Sequence, residues 1–504
     1  MLLRELVDTS AAVAATRSRK EKVRLIAGLL SAAEPAERSL VAHLLSGKLR
    51  QRRTGLGYRS LATLPSPADD ASLSVVEVDA AFAAMARLAG PGSAGARTAA
   101  VTELFGRATA PEQAWLRSVA VGEVRQGALE AVTTEALAQA ADVPLAVVRR
   151  AAMLAGGTTY VVDAAFAGAD ALAEVGLTVG RPILPMLASS APDVAAAVAK
   201  AAGPDGLVGV DAKLDGIRVQ VHRHGDEVVV ATRSLDDVTA RLPEVVAVAR
   251  SLPVSSVVLD GEALALTADG RPRPFQETAS RTSSGAGEAV VAPYFFDLLH
   301  VDGEDLLDVP AAERWARLEA LVPPEHRVRR WVGTSVEEAS AFADAALAEG
   351  HEGVVVKSAG ASYDAGRRGS AWVKVKPVHT LDLVVLAVEH GSGRRRGWLS
   401  NIHLGARDDS SPTGFVMLGK TFKGMTDEML AWQTSRFRDL EVTDDGWVVT
   451  VRPEQVVEIA FDGLQRSTRY PGGLALRFAR VVRYRDDKGA DEADTIETVR
   501  GLVL

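Results

Sequence analysis

The 504-residue chain contains no cysteine. That excludes disulfides and cysteine-ligated zinc, and it fits a cytoplasmic enzyme. No uninterrupted apolar run reaches the roughly 18 residues that span a bilayer. The opening Met1-Leu-Leu-Arg-Glu-Leu-Val-Asp8 lacks the charged-then-apolar layout of a signal peptide, so a membrane is not an expected partner. Internal repeats and long low-complexity tracts are also missing. What is present is 47% hydrophobic and 24% charged residues, the balance of a globular protein with ample core. The length suggests about three domains.

Charge of positive sign is short overall, with a formal net of -8, which argues mildly against a generic nucleic-acid binder. The average hides clusters, however. Lys48, Arg50, Arg52, Arg53 and Arg59 crowd one segment, Arg394-Arg395-Arg396 sit between glycines, and Arg477, Arg480, Arg483 and Arg485 recur near the end. Any one of them alone reads as a solvated face.

Residues 1 to about 175 are rich in Ala and Leu with helical periodicity. Ser18-x-x-Glu21 has the form of a capping box, followed by Val23, Leu25, Ile26, Leu29 and Leu30. Further helical runs are expected around Leu40–Leu49, Trp115–Val132 and Thr134–Leu154. Ser46-Gly47-Lys48-Leu49-Arg50 and Thr54-Gly55-Leu56-Gly57 combine glycines with cations, as close approach to a phosphate backbone requires. Gly180-Arg181-Pro182-Ile-Leu-Pro185-Met186-Leu187 reads as a linker. Strands alternate with helices from there to about Pro377. Beyond His379, short strands at Asp382–Val388, Gly414–Leu418 and Gln455–Phe461 suit a small oligonucleotide-binding barrel.

The chemistry centres on Val208-Gly-Val-Asp211-Ala-Lys213-Leu-Asp215-Gly216-Ile-Arg218. Apolar alternation on both sides predicts a strand, a tight Asp-Gly turn and a second strand. Lys213 then stands at a pocket rim, where a partly neutral amine can act as a covalent nucleophile. Val258-Leu-Asp260-Gly-Glu262 and His351-Glu352-Gly-Val-Val-Val-Lys357 each place a carboxylate at a strand end, which suits Mg²⁺ bound jointly with phosphate oxygens. Trp372-Val-Lys374-Val-Lys376 predicts a strand with Lys374 and Lys376 on one face. Two such cations would hold a triphosphate, neutralise a pentavalent phosphorane and depress the pKa of Lys213. Pro293-Tyr-Phe-Phe296-Asp297 offers an aromatic for stacking on a purine.

Together these segments resemble, over essentially the whole chain, the ordered motifs of ATP-dependent DNA ligases within the covalent nucleotidyltransferase superfamily. The resemblance implies a multidomain α+β protein. An all-helical DNA-binding domain over 1–178 would precede a mixed, mainly antiparallel adenylation domain over 179–377 and an OB-fold β-barrel over 378–504. It also implies that Lys213 is adenylated and that Arg218 and Arg233 contact ribose and the DNA 5′-phosphate region. Glu262 falls near ribose and metal, Phe296 stacks on adenine, and Glu352 binds metal. Arg368, Lys374 and Lys376 contact phosphates. Arg477-Phe-Ala479-Arg…Arg485-Asp-Asp-Lys488 matches the C-terminal motif that swings over the triphosphate. Asp211 stands where the family often has Glu touching the adenine amino group, and Ala479 where Pro is common.

The helical domain, with Ser46–Arg50 and Arg181–Leu187, is similar to that of larger cellular and archaeal-type ligases, and the missing cysteines disfavour the NAD-dependent branch. The implied reaction has three steps: lysyl-AMP formation from ATP, transfer of AMP to the 5′-phosphate of a nick, and displacement of AMP by the 3′-hydroxyl. A monomer would clamp nicked duplex DNA, binding it mostly through phosphates. RNA joining or capping by the same chemistry is one rival, and a nick-binding scaffold without activity is another.

Overall fold

Periodic apolar positions build the first third of the chain as helices. The computed structural model describes residues 1–51, 54–124, 126–127, 130–267, 273, 275–284, 290–364 and 368–502. Arg52 and Arg53 of the first basic cluster lie outside the described residues, as do the side chains of Arg368 and Arg394. Among the described residues, helices run from Leu3–Ala15 through Ala169–Ala173, with a β-bridge between Leu2 and Ser74. The helix Arg19–Ala32 buries Val23, Ile26, Ala27 and Leu30, the spacing expected of one helical face.

Three local expectations change. Ser18 accepts the Glu21 amide at 3.3 Å, but the Glu21 carboxylate turns to Arg24 at 2.6 and 2.9 Å, so only half of the capping box forms. The run Trp115–Val132 is two helices, Ala110–Ala120 and Glu130–Ala140, with a turn at Gly122 in the left-handed region (φ 73°). The run Thr134–Leu154 is likewise broken before Leu145–Ala155, where Asp142 has φ 53° and Pro144 caps the next helix. In the phosphate-approach segment, Arg50 pairs with Asp79, and Arg97 braces the Gly55 loop by donating to the Thr54 carbonyl at 3.1 Å.

The middle of the chain supplies β1 (Leu187–Ser190), β2 (Val208–Lys213), β3 (Ile217–His224), β4 (Glu227–Thr232), β5 (Ser256–Ala265), β6 (Val291–Val301), β7 (Glu304–Asp305), β8 (Arg330–Gly333), β9 (Gly353–Ser358) and β10 (Arg368–Val375). They form two five-stranded sheets, β1-β10-β9-β2-β8 and β4-β3-β5-β6-β7. The β1–β10 pair is parallel and the others are antiparallel. The Asp215-Gly216 turn therefore joins strands of different sheets and makes no hairpin. Its glycine is required by close approach, because a Cβ at Gly216 would lie 2.5 Å from the Ala263 carbonyl oxygen.

The last part forms β11 (His379–His390), β12 (Leu399–Arg407), β13 (Phe415–Thr421), β14 (Glu441–Asp444), β15 (Val448–Val451), β16 (Val456–Phe461), β17 (Gly463–Arg466), β18 (Leu474–Arg477) and β19 (Arg480–Tyr484). Seven of these strands form one sheet, and β17 and β18 pair separately. The strand expectations at Asp382–Val388, Gly414–Leu418 and Gln455–Phe461 correspond to β11, β13 and β16. The architecture is thus mixed α/β, with N-terminal helices followed by two β-rich parts. Among the described residues no helix is long and apolar enough to cross a membrane.

β6, which carries Phe296, is locked to the helix Ala311–Leu321 by a pair in which Arg314 and Asp297 are both 0% exposed, at 2.8 Å. Removing one member leaves the other charge buried alone. Arg314→Met should therefore lower stability to urea by about 3–5 kcal/mol; a loss below about 1 kcal/mol, the value of an exposed pair, would contradict this account.

Candidate active site

β2 ends at Lys213, and its pairing with β9 places Lys213 opposite Gly353. A Cβ at Gly353 (φ +139°) would lie 2.2 Å from the Val375 oxygen, so the residue beside Glu352 must be glycine. The Glu352 amide donates to the Lys213 carbonyl at 2.9 Å. The Glu352 carboxylate then bridges the amines of Lys213 and Lys376, one oxygen to each. The Lys213 side chain is 23% exposed. Burial pushes its pKa down, Glu262 and Asp215 oppose that, and Arg477 and Arg233 add to it, for a net lowering.

The tuning of Lys213 thus differs from the expectation drawn from Lys374 and Lys376. Its leading cause is burial, and the leading cations are Arg477 and Arg233. Lys376 is itself lowered to about 8, by burial first and then by Lys213. Lys374 lies half-buried on β10 opposite Val355. Arg233 follows β4 and is exposed.

On the second sheet, Glu262 stands opposite Arg218. Burial raises the Glu262 carboxyl to about 7, with Lys213 and Arg218 pulling it back. Arg218 is not open to a ligand on all sides: it binds Asp260 at 2.6 and 3.0 Å and the Met186 carbonyl at 2.6 Å. Tyr363 donates to Asp260 at 2.6 Å and completes this knot.

Asp211 also has partners already. Arg330 reaches its two oxygens at 2.5 and 2.8 Å, and the Lys357 amine lies 2.7 Å away. Arg330 donates in addition to the Phe296 carbonyl at 2.8 Å. Phe296 packs edge-on to Trp372 with centroids 5.8 Å apart, and Lys357 sits 4.3 and 4.1 Å from the two ring centres. The shorter acid is thereby fixed to two cations behind an aromatic wall. Arg330, Asp260 and Tyr363 are not among the expected site residues; Asp260 sits within Val258–Glu262, whereas nothing local marks the other two.

The C-terminal motif divides in two. Arg477, at the end of β18, donates to Asp215 at 2.6 and 3.3 Å and so reaches the Lys213 turn. Asp462 joins Arg480 at 3.0 Å to Lys376 at 3.8 Å. Arg485 and Lys488 instead bind Asp382 on β11, at 2.9 and 2.7 Å. Arg477 and Arg480 thus lie on the Lys213 side of the motif, whereas Arg485 and Lys488 are held on β11. The arrangement can support nucleophilic attack by an amine on a phosphorus, with cations placed for the anion.

Residues 185–376 match the family model described as ATP dependent DNA ligase domain, and 395–488 match ATP dependent DNA ligase C terminal region. A probable DNA ligase of Nocardioides sp. is 66% identical, covering 100% of this chain and 99% of that protein. One of Kineococcus radiotolerans is 65% identical over 100% of both. The solved structure named "Pmar-Lig_Pre." shares the fold, with TM-score 0.64 and 17% identity over 95% of this chain and 99% of that one. The chain belongs to the ATP-dependent DNA ligase family.

Proposed function

We propose that Lys213 is the residue that this DNA ligase adenylates, and that the substrate is a 5′-phosphate/3′-hydroxyl nick in duplex DNA. The observation carrying the assignment is a recessed lysine of lowered pKa, gripped by Glu352 and faced by Arg477 and Arg233. Lys213 in its free-amine form attacks the ATP α-phosphorus, the bond to pyrophosphate breaks, and a phosphoramidate to AMP forms. Arg477, Arg233 and Lys376 offset the developing negative charge. Lys374 and Arg368, on β10, serve the phosphates. AMP then passes to the nick 5′-phosphate, and the 3′-hydroxyl displaces it.

Asp211, with Arg330 and Lys357, fixes the wall on which adenine stacks against Phe296. Arg218 holds the ribose side through its knot with Asp260. Glu262 fits a divalent cation: it is a recessed carboxyl whose proton is held up to about 7, and a cation would favour its ionised form. Glu262 and Glu352 would hold Mg²⁺, which takes few carboxylates and supplies Lewis-acid stabilisation of phosphate oxygens.

The helices to residue 178 form the DNA-binding domain, 179–377 the adenylation domain and 378–504 an OB-fold barrel. Supporting the barrel is the pairing of long β11 with β12, β15 and β16. The enzyme works in the cytoplasm as a monomer clamped on DNA.

Incubation with α-³²P-ATP should label the wild type and not Lys213→Ala, with no comparable label from GTP; an unlabelled wild type would refute the assignment. Arg477→Ala should slow labelling by about 100-fold, as for other lost electrostatic stabilisers, yet spare sealing of a pre-adenylated nick. Equal loss of both steps would remove Arg477 from step one. Because attack needs the neutral amine and the Lys213 pKa is lowered, the labelling rate should rise about tenfold per pH unit and level off below the ordinary lysine range. A rise continuing to pH 10.5, the ordinary lysine value, would contradict the lowering.

A further inference from the structure

The proline-marked segment Gly180–Met186 is fastened at Gly180, Ile183 and Met186 to one face of β3. Val219 and Val221 of that strand enter the core with Val245 and Ala249. Arg218, Gln220 and His222 alternate with them on the opposite face. Each holds the segment's backbone. Arg218 donates to the Met186 carbonyl at 2.6 Å. Gln220 accepts the Ile183 amide at 2.8 Å and donates back to the Ile183 carbonyl at 3.4 Å. His222 accepts the Gly180 amide on Nδ1 at 3.2 Å.

The rungs are also joined to each other. His222 Nε2 lies 2.8 Å from the Gln220 oxygen, which assigns the imidazole proton to Nε2. Gln220 is 4% exposed and His222 1%. Burial keeps this histidine neutral, its pKa pushed down to about 3.

The strap's other side grips the helical part. The Leu184 amide donates to the Met153 carbonyl at 3.0 Å, and Arg150 pairs with Asp308 at 2.8 Å. Met153 and Leu154 share one buried cluster with Ile183, Met186, Val258 and Trp372. The opposite joint is built differently. Among the described residues it is bridged by Arg477–Asp215, Asp462–Lys376 and a 3.0 Å bond from Gln276 to the Arg466 carbonyl. Among the described residues, the buried apolar clusters of the C-terminal part contain only its own members.

We propose that Gln220 and His222 are positioning residues of the ligase reaction: they fasten the strap to β3, so that the helical domain moves with the adenylation domain. This rests on the nick-sealing reading above. The helical domain then stays at a fixed distance from Lys213, and DNA it holds arrives at the nucleophile in register.

The cysteine-free chain allows spin labels at will. Full-length protein carrying Arg17→Cys and Asp226→Cys reports the strapped joint, and Asp226→Cys with Asp409→Cys reports the other. Double electron–electron resonance should give a narrow distance distribution for the first pair and a broad one for the second. Gln220→Leu and His222→Leu should broaden the first pair. Both should label with α-³²P-ATP as the wild type does, and seal a pre-adenylated nick at least about tenfold more slowly, since each loses more than one buried hydrogen bond. His222→Gln, which can still accept the Gly180 amide, should recover part of the sealing. A broad first-pair distribution in the wild type, normal sealing by both leucine variants, or equal loss of labelling and sealing would each overturn the proposal. Failure of the wild type to label or seal would refute the nick-sealing reading instead, since the distances are read without activity.

Discussion

The pairing of β2 with β9 is the constraint on which the active centre depends. It sets Lys213 opposite Gly353, and the neighbouring Glu352 is thereby obliged to meet the lysine amine. A lone ammonium so nearly buried would be costly. The carboxylate bridging Lys213 and Lys376 makes that burial tolerable, while burial and the facing arginines still bias Lys213 toward its reactive form. Lys213, the proposed nucleophile, and its counterion are thus products of one strand register. A one-residue slip would turn both side chains to the wrong face.

The same logic extends outward through buried ion pairs. Arg218–Asp260 and Arg330–Asp211 are each two-toothed contacts. They tie β2 and β3 to Tyr363 and to the strand of Phe296, so the proposed nucleotide wall inherits the rigidity of two sheets. By contrast, the C-terminal part touches this centre through partly exposed pairs such as Arg477–Asp215. Exposed pairs are worth about 0–1 kcal/mol, against about 1.5–3 kcal/mol for each fully buried apolar side chain. One joint is therefore firm and the other easily released.

Legibility in the sequence followed locality. Lys213, Glu262, Phe296, Glu352 and Arg477 stand out as candidates because each sits in a short motif whose chemistry is carried by adjacent residues. The helical part was legible from period alone, but its breaks were not, since Asp142 and Gly122 reverse the chain without interrupting composition. The two sheets could not be separated from sequence, because a hairpin and a crossing between sheets share the same Asp-Gly signal. The partners of Arg218 and Asp211 lie 42, 145 and 119 residues away, beyond any local pattern. The division of the C-terminal motif turns on Asp382, which nothing in the motif announces.

All of this converges on one amine. Peptide mass mapping of the protein after incubation with ATP and Mg²⁺ tests it most directly. The account predicts a single AMP adduct on the peptide containing Lys213, with Lys357 and Lys376 unmodified. An adduct on either of those lysines, or none on Lys213, would contradict it.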